Sequence, residues 1–181
     1  PQITDIEPGN AQVSTSVSVA DDGGSPITGY NATCTDGTTE YLGISSTSPI
    51  TVSGLTNGVS YVCVVSATSD EGASPNSELS TATPVGPPSA PQITSIEPGN
   101  AQVSISVSVA DDGGSPITGY NAYCFGDTLS FDTSPTLPIT VSGLTNGEAY
   151  ECLVTATNAV GTSPISESSA PVTPVAPPPG C

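Results

Sequence analysis

Five cysteines, two pairs of adjacent aspartates and a few aromatic rings are the side chains here with types suited to chemistry. The cysteines are Cys34, Cys63, Cys124, Cys152 and Cys181. Zinc or thiol-redox chemistry would call for a CxxC pair or accompanying histidines, and the chain has neither. The pairs Asp21–Asp22 and Asp111–Asp112 carry hard oxygen donors and are weak candidates for Ca²⁺. Their spacing matches no EF-hand loop. Neighbours in one Gly-rich segment also do not present two carboxylates to one substrate. A solvated turn accounts for them better, so no metal site is expected. Without His or Lys, no usual general base serves a Ser or Thr nucleophile, and the chain reads as non-catalytic, with no cofactor. Among the rings, Tyr30, Tyr61, Tyr120 and Tyr150 read as core or corner residues. Tyr41, Tyr123, Phe125 and Phe131 fall near a variable loop and are the candidate ligand contacts, since carbohydrate binding uses exposed aromatic platforms.

Charge narrows the partners further. There are 17 Asp and Glu against no Lys, Arg or His, a formal charge of −17, so no side-chain salt bridge can form. Nucleic acid is excluded, because its phosphates need Lys or Arg to neutralise them. Anionic membrane surfaces are disfavoured for the same reason. No apolar run approaches the ~20 residues of a spanning helix, so no membrane insertion is expected. Five cysteines in a chain with 19 Gly and 19 Pro point to an oxidising compartment, outside the cell or on its surface. With no Met, the chain reads as a processed product or a piece of something longer.

The elements that carry these residues come from an internal repeat. The 32 residues from Pro1, PQITDIEPGNAQVSTSVSVADDGGSPITGYNA, recur from Pro91 with two changes, Asp5 to Ser95 and Thr15 to Ile105. PITVSGLTNG recurs unchanged at Pro49 and Pro138, so the offset falls from 90 to 89 and a loop between these blocks has lost one residue. Inside each copy the period is two. Val13, Thr15, Val17 and Val19 alternate with Ser14, Ser16 and Ser18, as do Val103, Ile105, Val107 and Val109 with their serines, and this predicts a half-buried strand. Tyr30, Ala32 and Cys34 form a second such run, and Tyr61, Cys63, Val65 and Ala67 a third. Pro8-Gly9-Asn10, Asp21-Asp22-Gly23-Gly24 and Asn57-Gly58 supply turns between them. No stretch reads as helix. Short strands with regular turn signals predict an all-β chain of two sandwiches.

DDGGSPITGY, GLTNGVSY with GLTNGEAY, and SATSDEGASPNS with TATNAVGTSPIS together resemble the fibronectin type III family, particularly its bacterial versions. They resemble that family's B–C loop, its E–F turn with the tyrosine corner, and its F–G region, and the likeness covers both copies nearly end to end. It implies two tandem immunoglobulin-like β-sandwiches at residues 1–84 and 91–174. A Pro-rich linker at 85–90, extended and semi-rigid, would join them, and 175–181 would form a Pro-rich tail. The family's usual core Trp in strand B is replaced by Val17 and Val107. The resemblance also implies that strands C and F are antiparallel neighbours, with Cys34 beside Cys63 and Cys124 beside Cys152. Bridges there would close loops of about 30 residues and compensate for the lost ring.

The functional expectation is a non-catalytic extracellular module, a spacer or a building block of a surface protein or fibre. An adhesion or carbohydrate- or protein-binding accessory module of a larger secreted protein is the alternative. Its partners would be copies of itself or neighbouring modules. Aligning the tail on the linker places Cys181 where a third module would begin, and this odd cysteine is the candidate intermolecular contact.

Overall fold

The computed structural model describes residues 1–178, so Cys181 lies outside the described residues. The chain divides into two compact units, Pro1–Gly86 and Pro87–Cys181. The stretch read as a linker is shared between them. Val85 N donates to Gly9 O in the first unit, and Ser89 N donates to Asp111 O in the second.

In the first unit the strands are β1 (Gln2–Gly9), β2 (Gln12–Ser18), β3 (Ile27–Thr35), β4 (Glu40–Ser45), β5 (Ile50–Ser53), β6 (Tyr61–Ser69), β7 (Gly72–Ala73) and β8 (Ser80–Ala82). One antiparallel sheet runs β1-β2-β5 and the other β4-β3-β6-β7, with β8 also on β6. The second unit repeats the plan with β9 (Gln92–Gly99), β10 (Gln102–Ser108), β11 (Ile117–Phe125), β12 (Leu129–Ser134), β13 (Ile139–Ser142) and β14 (Glu151–Asn158). Its sheets run β9-β10-β13 and β12-β11-β14. The architecture is all-β, two β-sandwiches of immunoglobulin-like type.

Alternation fixes what each strand buries. On β2, Val13 and Thr15 are buried while Ser14 and Ser16 are half-buried, and on β6 Tyr61, Cys63, Val65 and Ala67 all point inward. Each unit therefore has its own core: Val13, Ile50, Val52, Tyr61 and Val65 around Cys34 and Cys63, and Val103, Ile139, Val141, Tyr150 and Val154 around Cys124 and Cys152. The alternating run stops one residue short of Val19, which lies beyond the end of β2.

Two devices recur in both units. At one end, Ala11 takes a positive φ of 55° and Ala101 one of 52°, a left-handed conformation that Gly, and occasionally Asn or Asp, adopts but that is unfavourable for Ala. Both are held from two sides. Ala11 N donates to Asn57 Oδ1 at 2.8 Å and its carbonyl accepts from Leu55 N at 3.0 Å, and Asn57 Nδ2 reaches Asn10 Oδ1 at 2.8 Å. Asn146, Leu144 and Asn100 hold Ala101 in the same way.

The second device lines β6 and β14. Ser74 and Ser77 each donate a backbone N–H to β6 carbonyls, of Ala67 and Val65, and each Oγ accepts the N–H of that same β6 residue, at 2.9 Å. Ser163, Ser166 and Ser169 do this to Ala156, Val154 and Cys152 of β14. Three residues of the outer segment thus pass for every two of the strand. Serine hydroxyls accept the bonds that backbone carbonyls of an ordinary neighbouring strand would accept. No buried side-chain polar atom among the described residues lacks a partner.

Candidate functional site

The cysteines lie where β3 meets β6 and β11 meets β14. Cys34 and Cys63 are directly opposed in the ladder, as are Cys124 and Cys152. Both pairs are disulfides, with Cα–Cα separations of 4.1 Å and fully buried sulfurs. Enclosed as core bonds, they offer no thiol to a substrate.

The aspartate pairs are spent on their own loops. Asp21 Oδ1 accepts Gly23 N at 2.8 Å and Asp22 Oδ1 accepts Gly24 N at 2.9 Å, and Asp111 and Asp112 repeat this with Gly113 and Gly114. These are Asx turns, in which the carboxylate stands in for a backbone acceptor and the glycines take the positive φ. In the second unit the loop is tied down further. Asn158 Nδ2 donates to Asp112 O at 2.8 Å, and Asp111 N to Ser89 Oγ at 3.0 Å. Among the described residues no group of three or more His, Cys, Asp or Glu is placed to hold a metal ion.

At the tyrosine corners, Thr56 N donates to Tyr61 Oη at 3.0 Å and Thr145 N to Tyr150 Oη at 3.1 Å. Tyr150 Oη also donates to Glu148 Oε2 at 3.2 Å and lies 3.3 Å from Thr128 Oγ1.

The four candidate ligand rings stand on strands rather than in a loop, Tyr41 in the first unit and Tyr123, Phe125 and Phe131 in the second, and Tyr41 takes the opposite parity to its counterpart Phe131. The residue missing from the second copy falls in the hairpin turn between β11 and β12. In the first copy Cys34 pairs with Tyr41, so Tyr41 lies on the inner side of β4, edge-on to Tyr61 with ring centroids 5.6 Å apart. Burial, together with Tyr61 and Asp36, pushes its phenol pKa up from 10.0. It is a half-buried core ring, not a platform. In the second copy Cys124 pairs with Ser130, which puts Tyr123 opposite Phe131 on the outer side. Those two rings pack on each other with centroids 4.8 Å apart and planes 34° from parallel.

The registers extend this outer face across three strands. One row reads Phe131–Tyr123–Leu153 and the next Leu129–Phe125–Glu151. Leu129 is 70 % exposed, Phe131 52 % and Phe125 38 %. The matching rows of the first unit read Leu42–Thr33–Val64 and Glu40–Thr35–Val62, with no aromatic ring. Sequence reasoning named the rings but missed Leu129, Leu153 and Glu151, which only the three-strand register brings beside them.

The first unit's own hairpin holds a different feature. The Asp36 carboxylate accepts from Thr39 N at 2.8 Å, from Thr38 Oγ1 at 2.7 Å and from Thr38 N at 2.8 Å. The Thr39 bond, then the two from Thr38, hold its pKa below 3.8.

The fibronectin type III domain profile matches residues 1–83 and 86–172. Among solved structures, the chain is similar to the FN1–FN3 domains of chicken CNTN1. Identity is 19 % and the TM-score 0.49, and the match covers 96 % of this chain but 64 % of that one. The chain therefore spans just under two thirds of the chicken CNTN1 fragment's length. Matched by the family profile over both units, each a closed sandwich with a tyrosine corner, this chain belongs to the fibronectin type III domain family as a tandem pair.

Proposed function

We propose that the chain is a non-catalytic extracellular module, a spacer or building block of a secreted or surface protein or fibre of the bacterial type its sequence resembles. The observation that carries this reading is the pair of buried disulfides, one closing each core. Such bonds persist in oxidising compartments and stabilise small domains whose cores are lean. The residue inventory agrees, since a chain without His, Lys or Arg lacks the usual general bases and gives trypsin-like proteases no cleavage site. Its partners on this reading are neighbouring modules of the same protein or copies of itself.

The test is made on protein from its native source. Mass mapping is expected to find Cys34 bonded to Cys63 and Cys124 to Cys152; free thiols at these positions would overturn the extracellular assignment. Gels with and without reductant, together with imaging, then separate the two structural roles. Filaments or reductant-sensitive multimers identify a building block, and monomers under both conditions identify a spacer.

A further inference from the structure

The outer face of the β12-β11-β14 sheet has an apolar centre and an acidic border. Its centre is the row Phe131–Tyr123–Leu153, and Glu151 lies on the same face, paired in register with Phe125. Another carboxylate, Asp127, belongs to the turn between Phe125 and Leu129 at the same end of the sheet. We propose that this face docks an extended, arginine-bearing segment of a partner protein.

Charge selects that occupant over the others. No side chain of this chain is cationic, so a second copy would bring no Lys, Arg or His to pair with the carboxylates of this face. Anionic polymers meet repulsion from the same carboxylates. A neutral glycan would want a coplanar shelf for its sugar rings, whereas Tyr123 and Phe131 tilt against each other by 34°. A guanidinium suits both parts of the face. Its plane stacks on an aromatic ring, and its fork of donors pairs with a carboxylate such as that of Glu151. Lysine has the charge without the plane, so arginine is favoured. The first unit lacks both rings at the equivalent positions, so the site belongs to the second unit alone.

The experiment uses the full chain at physiological salt with a short synthetic peptide of alternating Arg and Gly, followed by titration calorimetry and by NMR shifts. Comparators are the Lys–Gly peptide and a neutral glucose hexasaccharide. The test variant is the double substitution Tyr123→Thr with Phe131→Leu. It installs the residues that the first unit already carries at these positions on the same scaffold, and unchanged NMR dispersion will verify its fold. Saturable binding with one site per chain is expected, weakened about ten-fold or more by the double variant and also by Glu151→Gln. The Arg peptide is expected to bind more tightly than the Lys peptide. Equal affinity in wild type and double variant would mean diffuse attraction to a polyanion and would overturn the proposal. So would binding of the hexasaccharide at this face in preference to the peptide, or self-association that shields these residues.

Discussion

The two units are one scaffold decorated twice, and they differ in two places: the hairpin after β3 and β11 with the strands beside it, and the segment that follows β6 and β14. Between β3 and β4 the turn has one residue more than its counterpart between β11 and β12, and Asp36 organises it through three hydrogen bonds. Across the next strand the units solve the same contact in opposite ways. A Cβ on Gly43 would run into the carbonyl of Thr51, so β4 lies close against β5 there. The second unit has Asp132 at this position, and its Oδ2 accepts from Ser142 Oγ at 3.1 Å and Ser142 N at 3.3 Å. In the core the sole change among the opening repeat's buried positions is Thr15, fully buried with its hydroxyl on Ile50 O at 3.2 Å, against Ile105. The lesson is that the shared framework tolerates either solution while keeping the ladder, the corner and the disulfide.

The strongest way to break the equivalence is to open one bridge at a time. Cys63→Ala with Cys34→Ala should lower the first unit's stability by about 3–4 kcal/mol, and the matching Cys124 and Cys152 pair should cost the second unit a similar amount, since both bridges close loops of similar length. Denaturant melts of each double variant measure this. A loss confined to one unit would show that the bridges are not equivalent.

Gly43→Ala comes next. It should destabilise the first unit by about 1–3 kcal/mol through overpacking, while Asp132→Ala in the second should cost about 1 kcal/mol or less, because only exposed hydrogen bonds are lost. Equal effects in chemical denaturation would refute the close approach of β4 to β5. In the opposite direction, Thr15→Ile copies the second unit's solution and should raise the first unit's midpoint, a gain of about 1 kcal/mol.

The smallest effect concerns acid. Asp36 has its pKa lowered on folding, so its contribution is present above 3.8 and is lost as pH falls from there through the lower folded value. Acid otherwise removes repulsion among unpartnered carboxylates and breaks no salt bridge. The first unit should therefore lose this extra stabilisation at low pH, and Asp36→Asn should remove that pH dependence. Thermal melts followed from about pH 5 to pH 2 test it, with the second unit as the internal reference.

Most of the framework was legible from period-two runs and turn residues, because a strand with one wet face must alternate. The parity of β4 was not legible. Tyr41 and Phe131 both look like aromatic residues after the same hairpin, yet a one-residue difference in the turn leaves one facing the core and the other facing out. Counting from Cys34 cannot fix this unless the turn geometry is known. The serine ladder was illegible for a different reason. Serines three apart carry no hydrophobic pattern, and their role appears only when the strand they bond has a period of two. Ala11 was hidden as well, since nothing in Pro-Gly-Asn-Ala says that Ala rather than Asn takes the left-handed backbone.

That ladder has a consequence for how these domains behave in company. A sheet that ends in an ordinary strand offers the next molecule a row of backbone donors and acceptors at regular spacing, which templates aggregation. Here the stretch that follows β6 and β14 meets its neighbour at every third residue, at Ser74 and Ser77 before β8 pairs in ordinary register and at Ser163, Ser166 and Ser169, with Pro75 and Pro164 directly after bonded serines. Along that stretch an incoming strand, whose groups repeat every two residues, meets a segment whose bonds repeat every three. Natural proteins often guard such margins with lysine, a residue this chain does not contain. Hydroxyls and prolines guard this part of the margin by geometry instead of charge, a protection that does not depend on pH or salt while the fold survives.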